Sequence, residues 1–328
     1  MKNPLIENLP YYLLRITLKC NANCLFCNVP FESFNSFSEP STCQIKRKIK
    51  KLVKENPKIK LSISGGEPTI REDLIELINY AKKIKIKTVE IQTNGILLSN
   101  KEYVKKLKEA GLDKAFVGLH SHLPKIHDYL VGVRGAFYKC IEGIKNLLNE
   151  EIKVILNPVI TTKNLKNLCE FILFIKRNFP QIQSISLSVV QPRGRAWVNK
   201  NLVPSYQIIH PFIKKALSLA EKIGIIVNNP YCGLPLCVGN WWKYLDRNVE
   251  FCEHYLEKIN KNTKNLKMYY FSPREKIKTE KCLICDFTDF CNGVWIEYVK
   301  IHSFSGIKPI KLSFGEKHRL KQKFGINF

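Results

Sequence analysis

A chain of 328 residues with 45% hydrophobic side chains holds enough apolar material for one large core and a smaller second one, which excludes a disordered or fibrous protein. No apolar run reaches the length of a membrane span, and the patch Tyr11 to Leu14 is cut off by Arg15, so a cytoplasmic protein with no membrane partner is expected. The formal charge of +25 raises nucleic-acid binding, but 43 of the 53 basic residues are lysines spread along helical patterns, and a compositional bias toward Lys accounts for them; a nucleic-acid partner is not expected.

Taken in order, Tyr11 to Thr17 leans to a strand, and the loop just past it carries Cys20, Cys24 and Cys27 as C-x3-C-x2-C. Three thiolates there can converge on one metal centre. They are one short of the usual cysteine set of an iron–sulfur cluster, which leaves an iron open to a non-protein ligand. Zinc or a disulfide knot is the alternative, although neither spacing supplies a fourth zinc ligand nearby.

After a polar linker, Ser41 and Gln44 read as a capping box, and a helix runs to about Glu55 with Ile45, Ile49, Leu52 and Val53 on its apolar side. Strand two ends in Gly65-Gly66-Glu67-Pro68. Thr69 and Glu72 read as the cap of helix two, whose stripe is Leu74, Leu77, Ile78, Ala81 and Ile84. Strand three is Thr88 to Gln92, and Ser99 with Glu102 caps a helix that stops at Gly111. Strand four, Lys114 to Leu119, leads through a loop to a helix from about Ala136 to Asn149, with Ile141, Ile144 and Leu148 inward. Strand five is Lys153 to Val159, and helix five runs from about Lys163 to Asn178. Strand six is Ser184 to Val190, and a helix capped by Ser205 ends at Gly224. Six β-α units with connections too long for hairpins imply parallel strands and right-handed crossovers, two units short of a closed barrel. Sites in such folds lie at the C-terminal ends of the strands.

C-x3-C-x2-C after strand one, followed by Gly-Gly-Glu-Pro after strand two, resembles the radical S-adenosylmethionine (SAM) superfamily. The resemblance implies a six-unit (β/α)6 partial TIM barrel over residues 1–223. It also implies a [4Fe–4S] cluster on Cys20, Cys24 and Cys27 whose open iron binds the amino and carboxylate groups of SAM. One electron then yields methionine and a 5′-deoxyadenosyl radical that takes a hydrogen atom from carbon. In the family the Gly65, Gly66 and Glu67 segment binds the SAM amino group. Asn94, Ser121 and Asn157, at the ends of strands three, four and five, are SAM-contact candidates, with ordinary turn chemistry as the alternative. Arg193 and Arg195 after strand six suit the SAM carboxylate or an anionic substrate. An acidic low-potential donor, flavodoxin or ferredoxin, is implied, and a basic surface steers such a partner.

In the last third, Cys232, Cys237 and Cys252 read C-x4-C-x14-C, and Cys282, Cys285 and Cys291 read C-x2-C-x5-C. Six clustered cysteines in a reducing compartment need a metal, zinc or iron–sulfur. The pattern resembles the SPASM/Twitch extension, implying a small cysteine-rich α+β auxiliary domain over 224–328 with one or two auxiliary [4Fe–4S] clusters. The next expected cysteine position is Trp295, so each triplet lacks a fourth thiol. One cluster takes four of the six, or two clusters are completed by residues such as His254, Asp286 or His302, or by substrate; two is the favoured count. Cys140 and Cys169 read as buried small hydrophobes, and Cys43, at a helix start, is a candidate hydrogen donor.

The SPASM/Twitch resemblance implies either peptide or small-molecule substrates. The C-x2-C-x5-C spacing differs from that of the Twitch enzyme that starts molybdenum cofactor synthesis, and the tail lacks its glycine-arginine-arginine ending. A peptide is therefore expected, altered by a thioether or carbon–carbon crosslink, epimerisation or oxidation. Only about ten residues precede strand one, against about 50 for an independent domain, so a separate leader-binding protein is one route to recognition. A small-molecule reaction of cofactor biosynthesis is the alternative. A non-enzymatic metal-binding nucleic-acid module is more distant, since it gives no reason for Gly-Gly-Glu-Pro.

Overall fold

The computed structural model describes residues 11–252 and 275–325. Its centre is a parallel sheet in which β1 (Tyr11–Arg15), β2 (Lys60–Ser64), β3 (Thr88–Thr93), β4 (Lys114–Val117) and β5 (Lys153–Leu156) pair in sequence. Leu61, Ile63, Val89, Ile91, Ala115 and Val117 alternate onto one face of this sheet and are fully buried in a core shared with the helices. The opposite face is polar. There Ser62 donates to Glu90 (2.9 Å), which pairs with Lys114 (2.9 Å), and Ser64 donates to Gln92. This is the partial barrel implied by the resemblance.

The described helices of this part are α1 (Phe31–Ser36), α2 (Thr42–Glu55), α3 (Leu74–Lys83), α4 (Lys101–Glu109), α5 (Pro124–Val131), α6 (Ala136–Asn149), α7 (Leu168–Asn178), α8 (Arg195–Val198) and α9 (Tyr206–Lys222). The capping box of α2 forms, with Gln44 N–H on Ser41 Oγ and Ser41 N–H on Gln44 Oε1, and Ser205 caps α9. Two expected caps do not form. Thr69 turns its hydroxyl to Glu67 (2.6 Å), leaving a 3-10 turn over Pro68–Ile70 and a later start for α3. Asn100, not Ser99, caps α4 by accepting from Tyr103 N–H, while Ser99 donates back to the Ile96 carbonyl. In α6 Ile144 is buried as expected, but Cys140 and Leu147 take the inward places assigned to Ile141 and Leu148.

Strand five breaks at Asn157, because Pro158 has no N–H to continue the ladder; β6 (Val159–Ile160) pairs separately with β8 (Ser188–Val189). Strand six breaks likewise, into β7 (Ser184–Ser186) and β8, where Leu187 N–H turns to the Asn228 carbonyl. The loop expected after strand four contains α5, with Pro124 at its first turn and Gly132 (φ 68°) closing it.

A seventh parallel strand, β9 (Ile226–Asn228), pairs with β7 and lies past residue 223. Beyond it the described residues hold β10 (Lys276–Ile277) antiparallel to β11 (Val294–Trp295), then α10 (Ile296–His302) and α11 (Phe314–Phe324). This segment is fastened to the barrel. Tyr298 stacks on Tyr206 at 3.7 Å and its hydroxyl accepts from Tyr206 N–H at 2.7 Å. No helix among the described residues is long and apolar enough to cross a membrane.

Candidate functional site

The cysteine loop is held on three sides by main-chain contacts. Gly66 N–H donates to Thr17 O (2.7 Å) and Glu67 N–H to Lys19 O (2.8 Å), so the end of β2 grips the chain leaving β1. A Cβ at Gly65 would stand 2.3 Å from Thr17 O, and one at Gly66 2.2 Å from Lys19 O, so only glycine allows this approach. The end of α5 supplies the second grip, through Asn23 and Leu25 N–H on the Val131 and Leu130 carbonyls, both 2.9 Å. The third comes from the segment after β8. Gly194 has φ 54° and packs where a Cβ would meet Val29 O at 2.2 Å, Asn28 donates to Gln191 (2.6 Å), and Asn199 donates to Leu25 O (3.1 Å).

Cys20, Cys24 and Cys27 are free thiols, with Cys20 exposed and the others half-buried. Burial pushes the Cys24 thiol up to about 12, with the charges of Cys20 and Cys27 adding to it and Arg195 opposing. Desolvation raises Cys20 too, against the N–H of Ala22, whose nitrogen lies 3.4 Å from its sulfur. Three thiols on one loop with a main-chain donor and one exposed member fit a three-cysteine cluster loop. Because the ligands are thiolates, loading the site releases protons.

Glu67 is 1% exposed. Its Oε1 accepts from Thr69 N–H (3.1 Å) and the hydroxyls of Thr69 (2.6 Å) and Thr93 (2.8 Å); Oε2 accepts from Asn94 N–H (2.7 Å). Burial raises its pKa, and those donors oppose the rise. The carboxylate thus ties the ends of β2 and β3 together. Glu67→Gln is expected to cost about 2–3 kcal/mol, because an amide turns an N–H toward one of these donors and leaves it unmet. Chemical denaturation of the two proteins checks this; equal midpoints would refute the bracing role.

Asn94 is brought to the cysteine loop, its amide donating to Asn21 (2.7 Å) and lying 3.9 Å from Cys20 Sγ. Ser121 is buried and accepts from Leu123 N–H, at the entry to α5. Beside it His120 does what Ser121 does not. Its ring meets Phe26, within the cysteine loop, edge-on at 4.6 Å, and burial drives its pKa well down. Asn157 joins strand ends, donating to Ser186 O (2.8 Å) and Ser188 Oγ (2.7 Å). Arg193 is committed elsewhere, to Glu275 (3.0 Å) and Glu297 (3.5 Å), whereas Arg195 makes no ion pair among the described residues. Sequence reading missed Asn28, Gln191, Gly194 and Asn199. A glycine between two arginines was the only local signal, and it reads as a turn.

The C-terminal thiols do not form two triplets. Cys237, Cys282, Cys285 and Cys291 line one largely apolar enclosure, with Leu236, Phe287 and Ile307 among its walls. Burial pushes Cys237 up to about 12, and the charges of Cys291, Cys285 and Cys282 add to it. Main-chain N–H groups of Ile310 and Gly293 lie 3.3 and 3.4 Å from the sulfurs of Cys285 and Cys291. Cys232 and Cys252 do not line the enclosure; Cys252 points to the Leu245 carbonyl (3.6 Å), and burial pushes Cys232 up to about 11, opposed by Lys276. Among the described residues no three such side chains converge tightly enough to clasp a single ion, whereas a cubane spreads its thiolates over separate irons.

Of the proposed completing ligands, Asp286 is engaged by Leu312 N–H and Lys317, His302 by Val203 O, and His254 lies outside the described residues. Cys140 is buried, Cys169 half-buried, and Cys43 exposed with Arg47 donating to it.

A parallel partial barrel with free thiols after its first strand and a glycine pair after its second defines the class. Residues 14–175 match the model of the radical SAM superfamily, and the chain belongs to it. With that family goes a SAM-binding [4Fe–4S] cluster. The chain is 39% identical to a probable GTP 3′,8-cyclase of Sulfolobus acidocaldarius, over 55% of this chain and 56% of that protein. It is 31% identical to an Fe-coproporphyrin III synthase of Methanosarcina barkeri, over 78% and 64% respectively. This chain therefore spans between about half and two thirds of the length of these curated relatives. Streptococcus suis SuiB bound to precursor peptide SuiA shares the fold, with a TM-score of 0.62 at 16% identity over 92% of this chain and 75% of that one.

The peptide substrate expected from the C-terminal spacing does not stand. Relatives above 30% identity are named for small molecules, GTP and Fe-coproporphyrin III, and the likeness to SuiB is one of fold alone. Cysteine spacing in the last third carries no reading of the substrate.

Proposed function

We propose that this protein cleaves SAM and modifies a small-molecule precursor in the biosynthesis of a cofactor. The observation that carries the reading is the loop of three free thiols locked against Gly65 and Gly66 at the mouth of the barrel. A [4Fe–4S] cluster on Cys20, Cys24 and Cys27, open at one iron to SAM, would supply the electron that releases a 5′-deoxyadenosyl radical. Asn94 lines its Cys20 side and Arg195 its Cys24 side, where a guanidinium suits the SAM carboxylate or an anionic substrate. With Glu67 committed to internal donors, the SAM amino group falls to the main chain about Gly65 and Gly66.

The relatives named for GTP and Fe-coproporphyrin III support an anionic heterocycle as substrate, and the net charge of +25 suits it. We further place one auxiliary [4Fe–4S] cluster on Cys237, Cys282, Cys285 and Cys291, in the SPASM/Twitch manner, supported by their shared enclosure. Twelve cysteines suit a reducing, cytoplasmic setting with a flavodoxin or ferredoxin donor.

Anaerobically reconstituted protein, given SAM, dithionite and either GTP or the low-molecular-weight fraction of a cell extract, is expected to release 5′-deoxyadenosine. A new small-molecule mass should accompany it. A new mass confined to the macromolecular fraction would overturn this reading.

A further inference from the structure

The four-thiol enclosure comes to the surface at one turn. Cys285 N–H closes it on the Cys282 carbonyl (3.1 Å), and the two residues between, Leu283 and Ile284, are 75% and 58% exposed. The segment from Ile310 to Leu312 is sewn to the same turn. Asp286 N–H donates to Ile310 O (3.0 Å), and Leu312 N–H donates to the Asp286 carboxylate (2.6 Å). Two residues on, Phe314 opens α11 at 87% exposure. Large apolar side chains gathered so openly beside a set of thiols mark an interaction surface.

Basic groups outnumber acidic ones around them. Lys281, Lys308 and Lys311 are exposed and make no ion pair among the described residues. Two nearby carboxylates are spent internally, Asp286 on Leu312 N–H and Lys317, and Glu316 on capping Ser313; Glu280 and Asp289 are the exposed acids of the stretch.

We propose that this surface docks an acidic one-electron carrier of the ferredoxin or flavodoxin class, at the auxiliary cluster and not at the SAM-binding one. The proposal rests on the placement of that cluster given above. A centre closed by four thiolates has no open iron for substrate and is left to structure or to electron transfer; Leu283 and Ile284 join two of its ligands at the protein edge, which favours electron transfer. One electron passes from reduced ferredoxin, which is oxidised, to the auxiliary [4Fe–4S] centre, which goes from 2+ to 1+; no bond is made or broken. A second copy of this chain would bring the same lysines face to face, whereas an acidic carrier complements them and is steered by them.

The test mixes the reconstituted protein with a photoreduced [2Fe–2S] ferredoxin in a stopped-flow instrument, over a range of salt. The variant Lys281→Glu/Lys311→Glu/Phe314→Asp is expected to slow electron transfer about tenfold at low salt and to flatten its salt dependence. Reduction by dithionite and iron content should be unchanged, which separates lost docking from lost folding. An unaltered ferredoxin rate in the variant overturns the proposal. So does a native dimer that dissociates on the Phe314 change. Native protein with iron at the SAM-binding loop alone removes the auxiliary cluster itself, and the docking surface with it.

Discussion

Protein with Cys20, Cys24 and Cys27 all replaced by alanine is expected to release no 5′-deoxyadenosine, a loss of several orders of magnitude, yet to retain about four irons and four sulfides per chain. The two parts of this result have different causes. Cys20, Cys24 and Cys27 share a loop gripped by β2, α5 and the segment after β8, so removing them empties one site. Cys237, Cys282, Cys285 and Cys291 line a separate enclosure in the C-terminal third, which none of the three substitutions touches. Anaerobic purification, iron and sulfide analysis and chromatography of the SAM products provide the readouts. Near eight irons would restore Cys232 and Cys252 as ligands of a second auxiliary cluster. Zinc in place of iron would sink the auxiliary cluster altogether.

Gly66→Ala is expected to destabilise the protein by about 4 kcal/mol and to lower iron at the SAM-binding loop, although no ligand changes. The added methyl would lie 2.2 Å from Lys19 O and 2.5 Å from Leu18 O. Both are main-chain atoms, with no rotamer to swing aside, so the chain leading into Cys20 has to move. Gly315→Ala is the control. It sits in the first turn of α11 with nothing within 4 Å of the new methyl, and a change within about 0.5 kcal/mol is expected there. Denaturation midpoints and iron content of both variants decide the matter. A Gly66→Ala protein as stable and as iron-rich as the unaltered one would mean that the loop is not held by this contact.

Several features were legible because their physics is local. Ser41 with Gln44 and Ser205 with Ile208 make caps within three or four residues, and the buried stripe Leu74, Leu77, Ile78 and Ala81 follows from helical period alone. The spacing of Cys20, Cys24 and Cys27 needs only a loop to bring the thiols together. Even local signals failed where a distant group competed. Thr69 is a good capping residue by type, but the buried Glu67 carboxylate needed donors, and it took the Thr69 hydroxyl together with that of Thr93 on β3.

By itself, then, the sequence determined the first four strands, the helices α2, α3, α4, α6, α7 and α9, the class of cluster loop and its place at the end of β1, since each depends on residues a few positions apart. Tertiary structure decided what pairs with what. It committed Arg193 to Glu275 and Glu297, left Arg195 near Cys24, set Gln191 against Asn28 from 163 residues away, and chose four thiols of six for one enclosure. The reason is that a charge, an amide or a thiol has many partners of equal intrinsic worth along a chain. Which of them it meets is fixed only when packing has chosen its neighbours and burial has made an unmet group costly.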